Sequence, residues 1–135
     1  MKNLIVPAAG DAIDEVQAFI GEELERCGCS ASVQNQIELA VEEIFVNIAS
    51  YAYHPVEGEA EIRCDVLEDP IRVTIQFLDH GRPFDPLAKE DADTSETALM
   101  EREGGLGILL VKKVMDDVQY SYADGKNVLT IMKKL

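Results

Sequence analysis

Glu43 and Asn47 stand four residues apart in a segment of helical period, so both project from one helix face. A carboxylate there can orient a nucleophile or accept its proton. An amide oxygen suits a hard cation such as Mg²⁺, which takes few protein ligands and completes its shell with phosphates and water. Glu42 points about a quarter turn away and fits these roles less well. Further on, Asp79 ends an apolar run and Gly81 follows two residues later. Such a carboxylate can accept a hydrogen bond from an exocyclic amine such as adenine N6, and glycine lets the backbone pass close to a base. Last, Gly104, Gly105, Leu106, Gly107 and Ile108 open another segment of helical period. Exposed N–H groups at a glycine-rich helix start can hold phosphates.

Taken singly, each motif has a plainer reading. A Glu-x-x-x-Asn pair is common on solvated helix faces, and for that pair alone the plainer reading is preferred. Asp79 and Gly81 suit a strand-end turn equally well. The glycines suit a hinge at the end of a loop. They are not a dinucleotide fingerprint: a third glycine is missing, and a polar loop precedes them where a strand belongs. A Walker A sequence is also absent. Order and spacing within 135 residues are what make the three motifs parts of one nucleotide site.

The elements that must position them follow from periodicity. Leu4 to Val6 reads as a short strand stopped by Pro7. A helix from Asp11, its expected cap, to about Arg26 carries Ile13, Val16, Phe19, Ile20 and Leu24 on one side and ends at Gly28. A second helix, capped by Ser30 or Ser32, runs to about Tyr53 with Ile37, Val41, Ile44, Ile48 and Tyr51 or Ala52 as its stripe. Ile62, Cys64 and Val66 alternate with polar residues, as do Ile71, Val73, Ile75 and Phe77 after the Asp69-Pro70 turn, giving a hairpin. Positions 82 to 103 are polar, acidic and aperiodic, and so long a loop is a functional signal. A helix then carries Ile108, Leu109, Val111, Val114 and Met115. A closing hairpin follows, in which Asp124-Gly125 joins Val118–Tyr122 to Val128–Met132. Strand, two helices, two strands, loop, helix and two strands predict an α+β two-layer sandwich, with helices on one face of a mainly antiparallel, mixed sheet.

Composition narrows the partners. A chain of 135 residues with 47% hydrophobic residues is most simply one domain with a real core. Against 26 Asp and Glu there are 12 Lys and Arg, for a formal net charge of -14. Nucleic acid and anionic membrane are disfavoured as main partners. A basic protein surface would suit this charge, and solubility explains it equally well. Cys27, Cys29 and Cys64 make a poor disulfide framework and read as reduced thiols. With neither a signal peptide nor a membrane-length apolar run, the chain reads as cytoplasmic. His80 reads as a filler between Asp79 and Gly81, and His54 as a helix-end residue.

The three motifs in this order resemble the GHKL ATPase superfamily, which has the Bergerat fold. Its N box matches Glu43 to Asn47, its first glycine box Asp79-x-Gly81, and its second Gly105-Leu106-Gly107. The chain is most similar to the small anti-sigma-factor serine-protein kinases of bacterial partner-switching systems. That resemblance rests on Ala52-Tyr53 after the N box, on the run Gly81 to Pro86, on Met115-Asp116, and on the short opening strand and closing hairpin. The resemblance implies that Asn47 holds Mg²⁺ against the phosphates of ATP and that Glu43 activates the attacking hydroxyl. It implies that Asp79 and Gly81 read adenine, while Gly104 to Ile108 lie about the phosphates. Residues 82 to 103 would be the ATP lid, with Arg102 the cation taken to meet the terminal phosphate among many acidic neighbours. The implied activity is transfer of the γ-phosphate to a serine of a STAS-domain anti-anti-sigma partner, together with sequestration of a sigma factor by a homodimer. The alternatives are a partner-switch module that binds nucleotide without transferring phosphate, and an acidic α+β interaction domain that binds none.

Overall fold

The computed structural model describes residues 2–52, 58–68, 70–88 and 105–135. In chain order these form β1 (Lys2–Pro7), α1 (Ile13–Arg26), α2 (Ala31–Asn47), β2 (Glu59–Leu67), β3 (Arg72–Asp79), α3 (Gly105–Val114), β4 (Asp117–Ala123) and β5 (Lys126–Lys134). The architecture is the expected α+β one, a five-stranded sheet of order β1-β2-β3-β5-β4 covered by helices on one face. Where a mixed sheet was expected, all four strand pairings are antiparallel. Connectivity explains this. Two helical passes between β1 and β2 bring the chain back reversed. The single pass of α3 sets β4 parallel to β3, but β5 inserts between them.

Local chemistry fixes most boundaries. At the end of α1, Gly28 takes a left-handed φ of +76°. This lets Gly28 N donate to Glu25 O at 3.1 Å and Cys29 N donate to Leu24 O at 3.1 Å, the paired bonds of a Schellman cap. The Ser30 hydroxyl accepts from Val33 N at 3.3 Å, so Ser30 rather than Ser32 caps α2. Asp124 and Gly125 both take positive φ, 55° and 73°, as a two-residue hairpin turn requires. Lys133 Nζ donates to Val114 O and so satisfies one open carbonyl at the end of α3.

Two expectations are corrected. Asp11 does not cap α1: it lies in a 3-10 turn, Gly10–Ala12, and the helix begins after it with no side-chain cap. Asp14 and Glu15 in its first turn still suit the helix dipole. The second helix does not run on as α-helix beyond Asn47. Ile48 to Ala52 form a π turn, and Ile48 N is shared between Ile44 O and Phe45 O. Tyr53 and His54 lie outside the described residues.

The core is one cluster that draws on every layer. Val16, Ile20 and Leu24 of α1, Ile37, Val41, Ile44 and Phe45 of α2, and Ile108 and Val111 of α3 meet Ile62, Val73, Ile75, Phe77, Leu129 and Ile131 of the sheet. The strand period sorts the site as well as the core. Val73, Ile75, Phe77 and Asp79 share the inner face of β3, while Asn127, Leu129 and Ile131 share that of β5.

Candidate nucleotide site

Asp79 is the last residue of β3 and continues the inward row of Phe77, which leaves it 5% exposed. A buried carboxylate needs hydrogen-bond partners. Gly81 N donates to Asp79 Oδ1 at 2.9 Å, so the chain turns back over its own side chain as the strand ends. Asn127 is paired with Asp79 across the sheet, and its Nδ2 donates to the same oxygen at 3.0 Å. Gly81 is itself buried. His80 points away from the cleft, exposed, and lines a shallow depression on the open side of the sheet with Ile5, Glu61, Leu78 and Lys126.

Helix α2 brings the second motif over the same strand ends. Asn47, its last residue, lines a cleft of about 540 Å³, measured out to open solvent, together with Asp79. Ile44, Ile48, Phe77, Ile108 and Leu129 form apolar walls, and Phe84, Pro86 and Tyr120 stand at the side. Phe77 is 1% exposed, so the floor of the cleft is also the hydrophobic core. Such a floor is held rigidly by close packing.

Glu43 lies one turn before Asn47, half-buried, and is set against the start of α3. A Cβ built on Gly107 would collide with the Glu43 carboxylate and lie 3.1 Å from its Cδ and 3.4 Å from its Cβ. The glycine is therefore what lets the two helices bring Glu43 to the N-terminal turn of α3. Glu42 is exposed. Of the expected residues, Asn47, Asp79 and Ile108 line one cleft, while Gly81 is bonded to Asp79 and Glu43 lies against Gly107. Gly105 and Leu106 are the first two residues of α3. Arg102 and Gly104, and positions 89 to 101 and 103 of the expected lid, lie outside the described residues. Of that loop, Arg82, Phe84 and Pro86 line the cleft.

An amide oxygen at the mouth of a polar and apolar cleft, with a carboxylate one turn away, fits Mg²⁺ carried on a polyphosphate. Among the described residues no cluster of three or more His, Cys, Asp or Glu could hold a metal by protein ligands alone. Among the described residues, Asn47 is the side chain whose amide oxygen would fit such an ion beside phosphate oxygens.

Sequence reasoning missed two residues here, Asn127 and Tyr120, both in the lining of the cleft. Asn127 Oδ1 accepts from Phe84 N at 3.1 Å and from the Tyr120 hydroxyl. Its Nδ2 also donates to Arg82 O at 2.9 Å. Burial pushes the Tyr120 phenol above its ordinary range, the Phe84 backbone contact offsetting this in part, so the group stays an O–H donor. The available signal was the period of β5: Asn127 stands two residues before Leu129, on the row that turns inward.

Comparison with known proteins adds a family. Residues 6–133 match the histidine kinase-like ATPase domain. The chain is 29% identical over 131 residues to the serine-protein kinase RsbW of Listeria monocytogenes, covering 93% of this chain and 82% of that protein. It is 31% identical over 135 residues to RsbW of Oceanobacillus iheyensis, covering 96% and 82%. Among solved structures, the histidine kinase AdeS of Acinetobacter baumannii matches at a TM-score of 0.55 and 16% identity, over 99% of this chain and 68% of that one, a likeness of fold.

Proposed function

Because the chain belongs to the histidine kinase-like ATPase domain family and is related across most of its length to serine-protein kinases named RsbW, we propose that its cleft binds MgATP and passes the γ-phosphate to a protein serine. The observation that carries this reading is the convergence of three separate elements. Glu43 rests against Gly107 at the head of α3, while Asn47 and Asp79 line one cleft.

The roles follow from the chemistry. Asp79, held through Oδ1, accepts the adenine amine. Gly81 keeps the backbone beside the base free of a Cβ. The apolar walls from Ile44 to Leu129 take the ring faces. N–H groups at the head of α3 meet phosphate oxygens, where the helix dipole favours negative charge. Asn47 donates its amide oxygen to Mg²⁺, which when bound neutralises charge on the phosphates. Glu43 accepts the proton of the serine hydroxyl as its oxygen attacks the γ-phosphorus and ADP leaves. Retention of both Glu43 and Asn47 favours a kinase over a module that only holds nucleotide. Arg102 remains the proposed cation for the terminal phosphate.

The partners proposed are a STAS-domain anti-anti-sigma protein as phosphate acceptor and a sigma factor as the protein held, with the chain acting as a homodimer in the cytoplasm. Among the described residues no helix is long and apolar enough to cross a membrane. The test is a thermal shift with MgATP followed by transfer of labelled γ-phosphate to a STAS-domain protein. Binding lost in Asp79→Asn, made insensitive to Mg²⁺ in Asn47→Ala, and transfer lost with binding kept in Glu43→Ala would support every role. No shift in folded, nucleotide-free protein would end the nucleotide reading. A shift without transfer to any STAS partner would leave a binding module.

A further inference from the structure

Asn127 holds together more of the cleft than any residue the motifs single out. It is 7% exposed and sits between β3, the 81–84 turn and β4. Nδ2 donates to Asp79 Oδ1 at 3.0 Å and to Arg82 O at 2.9 Å, with Gly81 O further off at 3.4 Å. Oδ1 accepts from Phe84 N and the Tyr120 hydroxyl. The orientation of the amide is unambiguous: carboxylate and carbonyl oxygens surround one end, N–H and O–H donors the other. A side-chain amide has two N–H donors and an oxygen with two lone pairs. All four positions are used inside the protein.

We propose that Asn127, which itself lines the cleft, is a positioning residue for nucleotide recognition: its amide, saturated within the protein, locks the Asp79 carboxylate and the 81–84 turn in the geometry that selects an adenine nucleotide. The proposal rests on the reading of Asp79 given above. Two features carry it. First, Gly81 N and Asn127 Nδ2 converge on the same oxygen of Asp79. One donor would leave the carboxylate free to turn about its Cβ–Cγ bond; two from different elements fix its plane. Second, the same amide spans Arg82 O and Phe84 N, and both of those residues line the cleft. The turn that borders the base is therefore tied to β5 before any ligand arrives, and Asp79 is aimed by a residue that lies 48 positions away in sequence.

The experiment compares ADP with inosine diphosphate, which has a carbonyl oxygen in place of the adenine amine, by calorimetric titration in Mg²⁺. The full chain is used as parent, Asn127→Ala and Asn127→Thr. Loss of a hydrogen bond to a charged group is worth about tenfold or more in affinity. Asn127→Ala is therefore expected to weaken ADP about tenfold while inosine diphosphate changes little, so that the preference for ADP shrinks by a similar factor. A structural role alone would weaken both nucleotides equally. Equal weakening overturns the proposal, as does a folded variant with the parent's affinities. If Asn127→Ala fails to fold, Asn127→Thr decides. One hydroxyl replaces at most part of the four-bond amide, and a smaller loss of ADP preference is expected; an unchanged preference overturns the proposal. A parent that binds neither nucleotide overturns the reading of the cleft as well, which separates the two failures.

Discussion

Gly107→Ala is the sharpest perturbation of this site, because it should damage the chemistry and spare the fold. Gly107 lies inside α3 without a positive φ. Alanine is favoured over glycine in a helix by about 1 kcal/mol. Against this, the new methyl group must displace the Glu43 carboxylate. That carboxylate is the far end of a flexible side chain, and moving it off its preferred rotamer costs on the order of 0.5–1.5 kcal/mol. The remaining contact, 3.4 Å to Glu43 Cβ, is an ordinary one. The two contributions nearly cancel, so denaturant unfolding should place Gly107→Ala within about 1 kcal/mol of the parent. Phosphotransfer should behave differently. A positioned general base contributes roughly 10²–10⁴-fold, and a displaced one forfeits much of that. The expected loss in transfer rate is about a hundredfold. Combined with Glu43→Ala, the glycine substitution should cost nothing more, because the side chain it displaces is gone; such non-additivity is the mark of a shared contact. A Gly107→Ala protein with full transfer activity would refute the reasoning. So would one destabilised by several kcal/mol, or a double variant whose losses multiply.

Three further outcomes follow from features away from the motifs. Gln17 Nε2 donates to Glu38 O at 2.8 Å, but its Oε1 is buried with no partner; Gln17→Leu should leave stability unchanged or raise it by up to about 1 kcal/mol in urea unfolding, and a loss above about 2 kcal/mol would show an unseen partner. Burial pushes the Cys64 thiol up to about 12, with Glu23 a lesser cause. A neutral thiol is thus favoured in the folded state, and its stabilising share is complete below the ordinary thiol range and lost as pH rises towards 12. Unfolding titrations from pH 9 upward should show Cys64→Ala falling less steeply than the parent, by up to about 1.4 kcal/mol per pH unit. Gly28→Ala meets no atom within 4 Å but must adopt a φ of +76°, so strain alone should lower stability by about 1 kcal/mol in thermal or denaturant unfolding.

Much of this was legible because the signals were local. The caps at Gly28 and Ser30, the turn at Asp124-Gly125 and the inward rows of β2 and β3 each depend on residues within a few positions of one another. Glu43, Asn47, Asp79 and Gly81 were readable as types at fixed spacing; the fold places Asn47 and Asp79 in the lining of one cleft, with Gly81 bonded to Asp79 and Glu43 one turn before Asn47. What sequence reasoning missed is non-local or ambiguous. Asp11 looks like a cap, but the chain makes a 3-10 turn before α1 begins, and a side-chain oxygen two residues before the first helical residue does not reach its free N–H groups. The π turn after Asn47 leaves the apolar pattern intact and alters only which carbonyl is shared, so periodicity is blind to it. Asn127 is the second residue after the Asp124-Gly125 turn, where a polar residue looks unremarkable. Its meaning comes from facing Asp79, a pairing that only sheet order supplies.

That sheet order has a consequence for the chain as it is being made. β5 is synthesised after every other described element, yet it lies inside the sheet, between β3 and β4. Until β5 emerges, β3 carries one bare edge, β4 has no neighbour, and the Asp79 carboxylate lacks the amide that fixes it. An unpaired inner edge is the kind of surface that recruits stray strands. On the proposed reading of the cleft, nucleotide would give the nascent chain no help through this interval, because Asn127 of the same strand completes the bonds to Asp79. The closed sheet and the fixed Asp79 carboxylate therefore arrive together, with the last strand of this segment.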